Sequence, residues 1–293
     1  MFHRFQWRVH GALLVVQLLF GTWPVIGKIA LRAMPGPALI GLRAGLATLL
    51  FVALGRMARL TVQQHVRVAA AGLLGITVNQ LLFIGGLQRT GAVNSTVLAT
   101  TIPVFTLALA LLLRAEQPTR HRVLGMATAL GGALFVTGAG RVQLGPDALQ
   151  GNLMLLASTL SYAGYLVVTR SLSRELSPLA LVPWIFFWGA LFAAPVTVPS
   201  LVGAEIAWTP ALVAIIAWVV LGPTVGTYYL NAVALRDAPP SLVAVFIYLQ
   251  PVFSALAAYP VLGEVPSPAV LAGGGIIFIG VWIANRPAAV VAR

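Results

Sequence analysis

Lys28 and Arg43 are the two cations that fall inside long apolar stretches of this chain. A charge at the centre of a spanning helix costs about 2.5–3.5 kcal/mol on insertion scales, so each calls for compensation. Either could attract an anionic group, such as an amino-acid carboxylate. The alternative is that each snorkels to the headgroups or bonds helix-end carbonyls. A second set is neutral. Asn79 and Phe83 would share one helix face, as would Thr227 and Asn231. Gln80 and Tyr228 sit beside them, while Tyr248 and Gln250 flank Pro251. Thr106 and Ser254 follow Pro103 and Pro251, where a proline frees a backbone carbonyl. With the aromatics Trp23 and Tyr165, these residues would line a substrate cavity of neutral donors and acceptors near the membrane midplane. The competing reading is ordinary interhelical hydrogen bonding, worth about 0.6 kcal/mol on average. Glu116 and Glu264 close equivalent apolar runs. They read either as gate latches or as helix ends with a local partner such as Arg120.

Other chemistries are poorly supported. The chain has no cysteine, which excludes disulfides, a thiolate nucleophile and Cys-based metal sites. His3, His10, His65 and His121 fall at or beyond the ends of apolar runs. No nucleophile–base pair or metal cluster is assembled by spacing, so neither catalysis nor a cofactor or metal is expected. Glu116, Asp147, Glu175, Glu205, Asp237 and Glu264 all lie near run ends. Proton-driven transporters usually keep an acid or histidine within the membrane. Facilitated diffusion or weak proton coupling is therefore expected over an acid-centred relay.

The elements that must hold these residues are membrane helices. Of 293 residues, 59% are hydrophobic and 8% charged. A soluble domain carries roughly 25% charged residues, so a water-exposed surface could not be covered. Apolar runs fall at about 11–31, 37–55, 68–88, 92–113, 122–140, 150–169, 178–202, 208–235, 240–262 and 268–285. They lack the alternation of barrel strands and are twice too long for them. The fold expected is all-α, with ten transmembrane helices. With the N-terminus in the cytoplasm, 13 arginines fall inside and only Arg32, Arg89 and Arg141 outside. The net charge of +12 is thus a topology signal, not a nucleic-acid signal. The expected location is a cytoplasmic (inner) membrane, multi-pass, with both termini cytoplasmic.

The chain also repeats itself. At an offset of 148, Pro103-Val104-Phe105 falls on Pro251-Val252-Phe253, Glu116 on Glu264, Gly125 on Gly273 and Gly132 on Gly280. At 142, Phe20-Gly21 falls on Tyr162-Ala163, Trp23 on Tyr165 and Lys28 on Arg170. Two repeats, 1–145 and 146–293, would hold five spans each. An odd number inverts the second copy, which is the arrangement of alternating-access transporters. Gly125/Gly132 and Gly273/Gly280 put small residues on one helix face. Such faces allow close packing between the halves or in a homodimer.

These residues resemble a known family. Pro103-Val104 leading to Ala115-Glu116 is similar to the fourth-helix signature of the EamA family of the drug/metabolite transporter superfamily. Tyr248-Leu249-Gln250-Pro251-Val252, ending in Gly263-Glu264, is similar to its ninth. Phe20-Gly21-Thr22-Trp23 with Lys28 resembles the first helix, with Phe20 where the family usually shows Trp. Arg43 matches the usual second-helix arginine. The resemblance implies ten spans in two inverted five-helix repeats and a small-molecule substrate in a lipid bilayer. Export of amino acids or related metabolites leads the readings it allows. A lipid-linked sugar or drug flippase of the same fold, and a membrane-embedded enzyme, follow.

Overall fold

The computed structural model describes residues 2–54, 57–90, 92–117, 119–137, 146–262 and 268–286. Glu264 lies outside them, as does the side chain of Lys28. The described residues are helical with short connections and contain no strand. The helices are α1 (Phe2–Ala33), α2 (Gly36–Ala53), α3 (Val62–Arg89), α4 (Ala92–Ala99 and Ile102–Leu112) and α5 (Arg120–Thr137). They continue as α6 (Pro146–Glu175), α7 (Pro178–Val202) and α8 (Pro210–Asp237). The last are α9 (Pro240–Val245, Phe246–Leu249 and Gln250–Leu262) and α10 (Pro268–Ala284).

Local chemistry sets the boundaries. Thr61 and Gln64 form a reciprocal capping box at the start of α3, and Thr209 caps α8. Helices α2, α7, α8 and α9 carry proline in the first turn, where a missing N–H is no loss. Among the described residues five stretches are long and apolar enough to cross a bilayer: Gly36–Ala53, Val62–Arg89, Ala148–Glu175, Pro178–Val202 and Pro210–Asp237. Val97–Leu112, Pro240–Leu256 and Leu271–Ala284 are shorter and apolar. Large apolar side chains such as Leu49, Leu124, Val202, Leu271 and Trp282 are exposed on the outside of the bundle, as lipid contact requires and water would not favour.

Among the described residues four helices depart from α geometry, and the departures pair. A π turn spans Leu73–Val78 in α3 and another spans Val220–Gly226 in α8. At the 148 offset the first maps onto residues 221–226. Likewise α4 breaks at Thr100 and Thr101, while α9 tightens into a 3-10 turn over Phe246–Leu249. Prolines account for three of the four. Pro223, Pro103 and Pro251 lack the N–H that would continue the ladder. In α8 the Thr224 hydroxyl donates to the Val219 carbonyl that Pro223 leaves without its i+4 donor, at 2.7 Å.

The helices pack in reciprocal fashion. α5 lies along α10, and α2 along α7. α1 packs on α8 and α9, and α6 packs on α3 and α4. The α5–α10 crossing is backbone against backbone. A Cβ at Gly125 would stand 2.4 Å from the Ala284 nitrogen and 2.5 Å from the Gly280 carbonyl oxygen. A Cβ at Gly280 would stand 2.7 Å from the Gly125 carbonyl oxygen, and Gly132 and Gly273 approach each other in the same way. The small-residue faces therefore meet within one chain. Gly125→Leu should destabilise the detergent-solubilised protein by about 1–3 kcal/mol through overpacking. Gly131→Ala, with nothing within 4 Å of the added carbon, should leave thermal stability equal or slightly higher. Thermal unfolding of the two variants distinguishes this contact from a generic glycine effect.

Candidate functional site

A cavity of about 950 Å3, mouth included, opens between α1, α2, α3, α4, α6 and α9. Phe20, Gly21 and Trp23 come from α1, and Arg43 from α2. Asn79, Gln80 and Phe83 follow the π turn of α3. Ser95, Ala99 and Thr100 flank the break in α4. Ser158, Thr159 and Tyr162 line it from α6, Ile247 from the 3-10 turn of α9, and Gln250, Pro251 and Ser254 from the α-helical part that follows it. Helices α1, α2, α3, α4 and α6 each contribute from the end of the bundle that carries Arg32 and Arg89.

The walls are held by neutral hydrogen bonds. Asn79 Nδ2 donates to the Ser158 carbonyl and hydroxyl, both at 3.0 Å, and its Oδ1 accepts from Gln80 Nε2 at 2.8 Å. Gln250 Nε2 donates to Gln17 Oε1 at 2.8 Å, and the Thr101 and Thr159 hydroxyls meet at 3.0 Å. Arg43 is 5% exposed. Its Nε donates to Thr224 Oγ1 at 2.9 Å and its Nη1 to Gln80 Oε1 at 3.2 Å. Its guanidinium lies 4.3 Å from the centre of the Trp23 ring, a cation–π contact.

Among the sequence candidates, the cavity gathers Trp23, Arg43, Asn79, Gln80, Phe83, Gln250 and Pro251, with Ser254. It does not reach Tyr165, Thr227, Asn231 or Tyr248, which are at most 2% exposed. Tyr228 is equally buried and borders a smaller recess of about 230 Å3 that shares Arg43 and Gln80 with the main cavity. These residues form a plug beneath the cavity. Tyr228 donates to the Gly75 carbonyl in the π turn at 2.6 Å, and Asn231 Nδ2 donates to Tyr162 Oη at 3.0 Å. The Tyr165 ring stands 5.3 Å from Tyr162 and 5.4 Å from Tyr228. Thr227 bonds the Pro223 carbonyl and Thr106 that of Ile102, and neither threonine lines the cavity. Pro103 is buried at the α4 break. Ser158, Thr159 and Thr100 were not singled out from sequence. The signal available was the helical spacing of 158 and 159 to Tyr162, itself the repeat mate of Phe20.

The profile of the EamA-like transporter family matches the chain twice, over residues 8–138 and 149–286. The chain belongs to that family. An uncharacterized transporter of Archaeoglobus fulgidus is 26% identical over 75% of this chain and 75% of its own length. A probable terminal-alkyne amino-acid exporter of Streptantibioticus cattleyicolor is 26% identical over 75% of this chain and 72% of its own. A WAT1-related protein of Arabidopsis thaliana is 25% identical over 93% of this chain and 82% of its own. A solved crystal structure superposes with a TM-score of 0.80 at 17% identity, over 97% of this chain and 99% of that one, which speaks to fold alone.

The opposite end of this EamA-like bundle is laced shut. Arg67 of α3 pairs with Glu175 of α6 at 2.8 Å and bonds Ser171 at 2.7 Å. Arg170 donates to the Leu235 carbonyl in the last turn of α8. Beyond α4 the chain turns at Arg114, whose φ of 52° is left-handed, and Glu116 folds inward. Glu116 pairs with Arg122 at 3.2 Å, not with the Arg120 expected from i+4 spacing, since residues 113–117 are not helical and i+4 geometry does not hold across them. Desolvation raises the Glu116 pKa above the usual carboxylate value, against opposing effects of Ser241 and Arg122. A group whose folded value is raised stabilises the fold below its unfolded value, near 4.3, and that contribution is lost as pH rises through the folded value. Glu116→Gln should therefore unfold at a higher temperature than the parent at pH 7. The gap should shrink as pH is lowered toward 4, which melting curves in detergent across that range would check.

Proposed function

We propose that this chain carries amino acids or related small metabolites out of the cell by alternating access, using two antiparallel five-helix repeats, 1–145 and 146–293, and ten spans. Family membership supports the transport class. The finer reading rests on one observation. The buried candidates beneath the cavity are the repeat mates of residues that line it. Trp23 corresponds to Tyr165, Asn79 to Thr227, Gln80 to Tyr228, Phe83 to Asn231 and Thr100 to Tyr248. A protein that exchanged the conformations of its halves would bury the first set and expose the second on the other face. The paired π turns and the paired breaks at Pro103 and Pro251 are where such an exchange could hinge.

Orientation follows from the arginines. The laced end carries Arg67, Arg122 and Arg170, so the positive-inside rule makes it cytoplasmic and the cavity outward-facing. Both termini then lie in the cytoplasm. On this reading Glu116 is an inner-gate latch that releases Arg122 when the cytoplasmic side opens. The amino-acid exporter among the relatives, at 26% identity, favours amino-acid-like cargo over a flippase substrate. Among the described residues no aspartate or glutamate lines the cavity. Transport is accordingly proposed to be facilitated diffusion, or at most weakly proton-coupled.

Two measurements test this. Amino-acid flux into proteoliposomes should occur without an imposed pH gradient, and gradient-driven accumulation that is abolished by neutralising one glutamate would defeat the proposed coupling. The absence of native cysteine makes accessibility labelling clean. Phe83→Cys should react with a membrane-impermeant thiol reagent from outside. Asn231→Cys should react from the cytoplasmic side, and faster during transport. If Asn231→Cys stays unreactive from both faces during flux, alternating access through the repeat mates is wrong.

A further inference from the structure

Among the described residues Arg43 has no counter-ion. It is 5% exposed within α2, an apolar stretch long enough to span a bilayer. Its three partners, Thr224, Gln80 and the Trp23 ring, are all neutral. The ion pairs among the described residues, Arg67–Glu175 and Arg122–Glu116, are at the other end of the bundle. A guanidinium has five N–H donors in a planar fork, and the two hydrogen bonds leave three. A desolvated charge with neutral partners is expensive unless something pairs with it. Arg43 also faces the cavity, beside Trp23 and Gln80.

We propose that the missing counter-ion is the cargo itself, a monocarboxylate whose carboxylate docks on Arg43. This rests on the transport reading above and names its substrate class. The geometry constrains the rest of the molecule. Phe20, Trp23 and Phe83 offer an apolar, aromatic wall beside the guanidinium. Gln250, Ser254 and Thr159, also in the lining, offer neutral hydrogen-bonding groups. An amino group can be accepted there but is not required. The described lining holds one positive charge and no carboxylate, so an amine lacking an acid group would be repelled. A single carboxylate balances the site.

The test uses binding, which does not depend on flux. Purified full-length protein in detergent is titrated with 3-phenylpropionate, L-phenylalanine, 3-phenylpropanamide and phenethylamine, and calorimetry reads affinity. The two acids should bind more tightly than the amide and the amine by roughly 10- to 100-fold, the range expected for hydrogen bonds to charged groups. Arg43→Gln should remove that discrimination by weakening the acids while leaving the amide within about 3-fold, since only the charged contact is lost. A merely structural role would weaken acid and amide alike. Arg43→Lys keeps the charge but loses the fork. It should bind the acids more weakly than the parent while still preferring them over the amide, and it carries the test if the Gln variant does not fold. Equal affinity for acid and amide, equal losses for both in either variant, or no binding of either acid overturns the proposal. Proteoliposome flux separates the two readings. Flux of phenethylamine without the acids sinks the carboxylate assignment and leaves a transporter. Arg43-dependent acid binding without any flux does the reverse.

Discussion

A backbone carbonyl in hydrocarbon has no water to fall back on, and leaving it unpaired costs several kcal/mol. Much of this architecture follows from that constraint. Pro223 withholds one N–H in α8, and the Thr224 hydroxyl donates to the Val219 carbonyl that Pro223 cannot reach. In the π turn of α3, the Gly75 carbonyl accepts from Tyr228 and the Leu74 carbonyl accepts from Ser161 on α6. At the end of α8, Arg170 satisfies the Leu235 carbonyl. Each repair ties one helix to itself or to a neighbour, so irregular backbone and interhelical contact arise together. Irregular backbone tolerated in this way puts side chains such as Asn79, Gln80 and Gln250 at a cavity wall.

Glycine supplies the complementary constraint. Without a strong hydrophobic drive between helices in lipid, close backbone approach and dispersion must do the holding. At α5–α10 the backbones meet with no room for a side chain at Gly125, Gly132, Gly273 or Gly280. Gly72 and Gly189 show the same logic between α3 and α7: a Cβ at Gly72 would stand 2.7 Å from the Ile185 carbonyl oxygen, and one at Gly189 would stand 2.5 Å from the Ile76 Cβ. The polar groups are carried by the cavity-forming helices α1, α2, α3, α4, α6 and α9.

The charges divide into two kinds by what surrounds them. Arg67 and Arg122 have carboxylate partners, and Arg170 has a helix-end carbonyl. Each of those contacts closes one end of the bundle. Arg43 instead has an amide, a hydroxyl and an indole. Burial is common to Arg43 and the Arg122–Glu116 pair, and only the partners separate a latch from a candidate binding group.

The sequence by itself determined the class of fold, the helix order and the internal correspondence, because hydropathy over about 20 residues and the spacing of Pro, Gly and Glu are local quantities. It also picked out Trp23, Arg43, Asn79, Gln80, Phe83 and Gln250, which the cavity gathers. It could not separate them from Tyr165, Thr227, Tyr228, Asn231 and Tyr248, since a polar or aromatic residue inside an apolar run reads the same whether it lines a cavity or packs. Which of them face the cavity depends on how the helices are packed, and that is a tertiary fact. The same holds for Ser158 and Thr159, ordinary helix residues until Asn79 and Thr101 are brought against them from 79 and 58 positions away. Glu116 finds Arg122 across a non-helical connection that includes the left-handed Arg114. Helical spacing alone could not foresee that bend.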